Sequence, residues 1–122
     1  IKANPNYYNN VLFSFTPWFY QCFKEFNPSL ILASHDPMAT KCQQWLQAAG
    51  KVPGKNISLL SIDNHWSSIS QSISSIDPGV RSCAVAAVQI LLGHTSLPGM
   101  RNNAFYGIPH LADRGSLVQL SK

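Results

Sequence analysis

The stretch from Ser29 to Asp63, SLILASHDPMATKCQQWLQAAGKVPGKNISLLSID, constrains this chain more than any other, because it contains a complete strand, helix and strand. Leu30, Ile31, Leu32 and Ala33 form a continuous apolar run of the kind expected for a strand buried on both faces, and it stops at Ser34, His35 and Asp36. Asp36 followed by Pro37 has the pattern of a helix N-cap with proline at the first helical position. Met38, Cys42, Trp45, Leu46 and Ala49 then recur at helical spacing until Gly50 ends the helix. Val52, Pro53 and Gly54 form a turn, and Ile57, Leu59, Leu60 and Ile62 build a second strand that ends on Asp63 and Asn64. Two strands joined by such a helix run parallel with a right-handed crossover, which puts both polar ends at one sheet edge. In open parallel sheets, ligands bind at that edge.

The chain has 122 residues, enough for one core, and with 45% hydrophobic and 11% charged residues it has the composition of a packed domain. Nine Lys and Arg oppose five Asp and Glu, but the basic residues are scattered singly, which fits a solvated surface better than a phosphate track. Cys22, Cys42 and Cys83 are odd in number and sit in apolar helical patterns, as buried free thiols of a reducing cytoplasm would. No pair of them has metal-site spacing. No apolar run approaches the roughly 20 residues that span a bilayer, so no membrane partner is expected.

Along the chain, Ile1 to Asn10 reads as an irregular lead-in and Val11 to Phe15 as a short strand. Thr16 and Pro17 then start a helix that aligns Trp18, Phe19, Cys22, Phe23 and Phe26. Core packing is the plainer account of that aromatic stripe, and a ligand platform the alternative. Asn64 to Gln71 reads as a polar loop in which His65 and Trp66 suit a small polar ligand as well as they suit an ordinary surface. Ile73 to Ile76 reads as a strand and Gly79 to Leu92 as a helix whose Val80, Cys83, Ala84, Ala87, Val88 and Leu91 share a face. Gly93 to Asn103 is then expected as a loop and Ala104 to Ile108 as a final strand.

His35, Asp36 and Asp63 are the candidates for chemistry. Two carboxylates and a histidine can serve general acid and base catalysis or hold a divalent metal, but further metal ligands at helical spacing and a Gly-x-Ser-x-Gly elbow are both missing. No catalytic residue, metal or cofactor is therefore assigned. Asp36 is accounted for by capping its helix. Asp63 ends a strand without starting an obvious helix, and a carboxylate there can accept hydrogen bonds from two neighbouring hydroxyls of a sugar or nucleoside.

Four pieces in order, "LILASHDPMA", "LQAAGKVPGKNISLLSID", "SISSID" and "LADRGSL", resemble the ligand-sensing core of the LacI/GalR transcription regulators, which shares its fold with periplasmic sugar-binding proteins. The likeness runs from about Leu30 to Leu117. It implies an α/β, parallel-sheet sandwich of the periplasmic binding protein type I kind. That region has two lobes and is about twice this long, so residues 1–122 are expected to be a single partial domain, mainly the C-terminal lobe. The resemblance implies that Asp63 binds the effector, that His35 leans into the pocket beside Asp36, and that an aromatic near the start of the first helix, Phe15 or Trp18, lies against the ligand. Asn64 stands where a second Asp is common in the family.

The expected function is that of a non-enzymatic, cytoplasmic sensor that binds a small sugar-like effector through Asp63, His35, Asp36, Asn64, His65, Trp66, Trp18 and Phe15. DNA would be contacted only by a region outside this sequence. A solute-binding protein of the periplasmic type is the alternative, and a small α/β enzyme a more distant one. Absence of the other lobe would uncover the face of the Gly79–Leu92 helix, so a homodimer, or a domain-swapped assembly of the fragment, is expected.

Overall fold

The computed structural model describes residues 17–94, 97–98, 100–102 and 104–119. The lead-in, the strand expected at Val11 to Phe15 and the Thr16 cap lie outside the described residues. Helix α1 covers residues 17–26. It is followed by β1 (Leu30–Leu32), α2 (Asp36–Ala48), β2 (Ser58–Ile62), α3 (Trp66–Ser70), β3 (Ser74–Asp77), α4 (Val80–Leu91), β4 (Met100–Arg101), β5 (Ala104–Phe105) and β6 (His110–Ala112).

One sheet has the order β1-β2-β3-β6, and β4 and β5 form a separate two-stranded ribbon. The expected strand, helix, strand unit forms, with β1 and β2 parallel in the register Leu30 to Ser58. Strand β3 extends the parallel set, and β6 closes it antiparallel, pairing Ile76 with Leu111. The architecture is thus α/β with a mixed, mostly parallel sheet.

The core lies between this sheet and α2. Ala33, Ala39, Cys42, Leu46, Ile57, Leu59 and Ile73 are buried together, with Phe19, Phe23, Ile31, Met38 and Trp45 packed against them. Helix α1 joins through Phe19, whose ring lies 4.7 Å from that of Trp45. The aromatic stripe is therefore split. Phe19 and Phe23 pack, whereas Trp18 and Phe26 are exposed and, with β1 and α2, line an apolar cleft of about 440 Å³.

Several expectations need correction. Strand β1 is not buried on both faces, since Leu30 and Leu32 are half exposed, because β1 is the edge of the sheet rather than an inner strand. The polar loop at 64–71 contains helix α3, the expected loop at 93–103 contains β4, the last expected strand shrinks to Ala104–Phe105, and β6 was not anticipated. Of the three cysteines, all free, only Cys42 is buried.

Helix α4 buries only Ala86. Val80, Val88 and Leu91 of its expected apolar face are exposed, as are the neighbouring Leu92 and Ile108. Gly79 precedes the helix with φ +79°, a left-handed conformation costly for any side chain, and a Cβ there would stand 3.2 Å from the Gly107 backbone. Gly54 is more tightly held still, because a Cβ would meet the Gly115 carbonyl oxygen at 1.9 Å. Among the described residues no helix is long and apolar enough to cross a membrane.

Candidate functional site

The carboxyl ends of β1 and β2 form one edge of the sheet, and the turn 63–65 leaves it with unusual backbone geometry. Asp63 and Asn64 have φ of 109° and 51°, a left-handed region that non-glycine residues enter only when their surroundings hold them there. Three consecutive N–H groups supply that hold. Asp63 donates to the Ile76 carbonyl at 2.9 Å, Asn64 to Ser75 Oγ at 3.0 Å, and His65 to a carboxylate oxygen of Asp36.

Asp36 is the anchor beneath the turn, and its role differs from the expected one. The N-cap of α2 is His35, which makes no side-chain capping bond, while Asp36 lies in the first helical turn with its side chain fully buried. Its carboxylate accepts from Ser61 Oγ, from Ser75 Oγ at 2.8 Å and from the His65 N–H, so one group ties α2, β2, β3 and the turn together. Capping is local, whereas these partners converge only after the sheet has formed. Burial alone would raise the Asp36 pKa, but the hydrogen bonds, led by that from Ser61, outweigh it and hold the carboxyl below its usual value.

With the backbone held from below, the side chains of the turn point alternately. Asp63 is exposed, Asn64 faces inward, and His65 and Trp66 are exposed. His65 Nδ1 accepts from the Ser67 N–H at 3.4 Å and so caps α3, and the His65 ring lies 5.5 Å from that of Trp66. His35 is exposed at the neighbouring strand end, its Nδ1 2.9 Å from Ser34 Oγ. Asn64 has both ends of its amide engaged, donating to Asp77 at 2.9 Å and accepting from Arg114.

The fold thus gathers His35, Asp36, Asp63, Asn64, His65 and Trp66 at one edge. Trp18 lines the α1–β1–α2 cleft instead, and Phe15 lies outside the described residues. The exposed members of the edge set combine a carboxylate, two imidazoles and an indole, groups that can accept hydrogen bonds from hydroxyls and cover an apolar ring face. Among the described residues no three His, Cys, Asp or Glu side chains gather as metal ligands would.

Sequence reasoning gave no role to Ser61 and Ser75, which hold Asp36, or to Asp77, which holds Asn64 and accepts from the Gly79 N–H at 2.7 Å. The available signal was the serine set among apolar residues in each strand, in SLLSI and SSID. Arg114 belonged to the closing motif, and its guanidinium bonds the Ile73 carbonyl at 3.0 Å as well as Asn64.

No curated protein and no solved structure matches this chain. The family model of the periplasmic binding protein-like domain matches residues 6–117, nearly the whole length, and its domain type agrees with the α/β fold and its mostly parallel sheet. The chain therefore belongs to the periplasmic binding protein-like domain family.

Proposed function

We propose that this chain is the C-terminal portion of the ligand-sensing domain of a LacI/GalR-type transcription regulator, and that it takes a small polar effector, a sugar, at the edge formed by His35 and residues 63–66. Domains of this family generally bind or sense ligands rather than catalyse reactions. One observation carries the reading: the three N–H groups of the turn are all pinned inward, while Asp63, His65 and Trp66 stand exposed. A carboxylate carried on a backbone held in this way can accept two hydroxyl hydrogen bonds without a loop first having to be ordered.

In this reading Asp63 is the principal acceptor, His35 and His65 add polar contacts, and Trp66 covers an apolar sugar face. Trp18 lines the α1–β1–α2 cleft and takes no part in this set. Asp36 and Asn64 act from beneath. DNA binding would reside outside this sequence, in the cytoplasm, and the uncovered face of α4 would be met by a second subunit.

Calorimetric titration with a panel of pentoses, hexoses and nucleosides tests the reading, run on the protein and on Asp63→Asn. At least one ligand should bind, and the substitution should weaken it by about tenfold or more, the loss of a hydrogen bond to a charged group. Failure of every ligand, or equal affinity in the variant, would overturn the assignment.

A further inference from the structure

Asn64 has a connection that the sensing edge alone does not use. Its amide oxygen accepts from Arg114 Nη2 and its amide nitrogen donates to Asp77 at 2.9 Å, so only one orientation of the group satisfies both neighbours. Arg114 is itself fixed at the start of β3, where its main-chain N–H meets Ser74 Oγ at 3.0 Å and its guanidinium meets the Ile73 carbonyl. Asp77 sits at the other end of β3, and its second oxygen accepts from the Gly79 N–H at 2.7 Å. Gly79 is the N-cap of α4.

The attachment of α4 is otherwise slight. The helix buries Ala86 alone, and its first turn is located by the Asp77 bond and by the close approach of Gly107 to Pro78 and Cys83. Packed interfaces transmit displacement because they are stiff. A helix with so little packing takes its position from the few directed bonds at its base.

We infer that Asn64 is a positioning residue that couples the sensing turn 63–65 to the first turn of α4, through its amide bridge to Asp77 and from there to the Gly79 N–H. A ligand that shifts the turn would move Asn64 with it, since Asp63 and His65 flank that residue, and the shift would pass along the bridge to α4. The consequence for sensing rests on the function proposed above. The coupling itself does not, and it is measurable without any ligand.

The bridge has a polarity that allows a decisive test. Asn64→Asp keeps an acceptor for Arg114 but cannot donate to Asp77, and two carboxylates then face each other. Asp77→Asn keeps an acceptor for Gly79 but presents an amide nitrogen to an amide nitrogen. The swap N64D/D77N restores a donor on one side and an acceptor on the other. Amide hydrogen exchange near pH 7 is followed at Gly79 and Cys83 of α4, at residues 63–65, and at the core amides of Leu46 and Leu59 as internal controls.

Either single substitution should speed exchange at Gly79 and Cys83 about tenfold, the scale of one charge-assisted hydrogen bond, while Leu46 and Leu59 stay as protected as before. The swap should return Gly79 and Cys83 to within about twofold of the starting protein. Unchanged exchange at α4 in Asn64→Asp, or a swap whose losses simply add, would overturn the coupling. Should Asn64→Asp unfold the whole chain, the swap alone decides, because recovery of the fold and of α4 protection requires the bridge and continued unfolding rejects it. A protein that bound none of the sugars would refute the sensing role and leave this exchange result standing.

Discussion

The segment β1–α2–β2 and the segment from α4 to β5 are built from similar amounts of apolar sequence and end in opposite conditions. The first places Ala33, Ala39, Cys42, Leu46, Ile57 and Leu59 in a common core, and the second, among its described residues, buries Ala86 alone. Composition does not separate them. What differs is whether the amphipathic face of the helix finds a sheet: α2 lies on β2, whereas Val80, Val88, Leu91 and Leu92 of the α4 region face outward. Apolar periodicity specifies which side of a helix wants to be covered and says nothing of what covers it.

If the proposed sensing edge depends on the well-packed half, the largest effect should come from its buried anchor. Asp36→Ala leaves two serine hydroxyls and the His65 N–H without their acceptor in a buried site, and should cost about 3 to 5 kcal/mol of stability in urea denaturation. A loss below about 1 kcal/mol would mean that the cluster is solvated and that the turn is held by something else. Next comes packing. Leu46→Ala, at a fully buried position, should cost about 2 to 5 kcal/mol, whereas Val88→Ala on α4, measured in the Leu91→Lys background as a monomer, should stay within about 0.5 kcal/mol. Equal costs at the two positions in that monomer would abolish the contrast between the halves.

The same contrast sharpens the question of assembly. Exposed apolar side chains line α4 and continue to Ile108, and stable dimers bury roughly 800 Å² per partner on such faces. Sedimentation at micromolar concentration should show a dimer, and Leu91→Lys, at a residue 86% exposed, should shift it to monomer without loss of monomer stability. A monomeric starting protein would leave the α4 face without the partner proposed for it.

The well-packed half was also the legible half. Leu30 to Ala33 and Ile57 to Ile62 are apolar runs bounded by breakers, and the helix between them carries both a proline start and a glycine stop, so local rules agree on every element. The edge position of β1 was not legible, because an apolar run reads the same on an inner strand as on an outer one. Asp36 misled for a related reason. The Asp-Pro pair is a local capping pattern, but the residues that bind the carboxylate stand 25, 29 and 39 positions away, in strands and a turn that no nearby residue announces. Strand β6 was missed because three residues, two of them exposed, carry no periodicity, and it exists only as a pairing with β3. Asp63 stands just after its strand, a position the sequence does mark.

Acidity offers a smaller and graded test. Asp36, Asp77 and Asp113 all have pKa values held below the ordinary carboxylate value, Asp77 chiefly by the Asn64 amide and Asp113 chiefly by the Gly115 N–H. A carboxyl with a lowered folded-state pKa contributes stability that is fully present above its unfolded value, about 3.9, and is lost as the pH falls through the folded value. The melting temperature should therefore be flat from about pH 8 to pH 5 and fall below about pH 4. Asp36→Asn should flatten part of that acid limb while lowering the plateau. A protein whose stability instead declined between pH 7 and 5 would show that these carboxyls do not set its acid response.

The smallest expected change is the most discriminating for function. Asp63 is exposed, and its carboxylate is not among the groups that pin the turn, since the residue is held there through its N–H to Ile76. Asp63→Asn keeps the size of the side chain and tolerates a positive φ at least as well as aspartate. Its stability should differ from that of the starting protein by no more than about 0.5 kcal/mol, although the same substitution is expected to remove most of the affinity for a sugar. Structural residues lose stability and binding together, as Asp36 should. A residue that loses binding alone has been placed for a ligand rather than for the fold, so a costly Asp63→Asn would return Asp63 to the scaffold and leave the exposed edge without its principal acceptor.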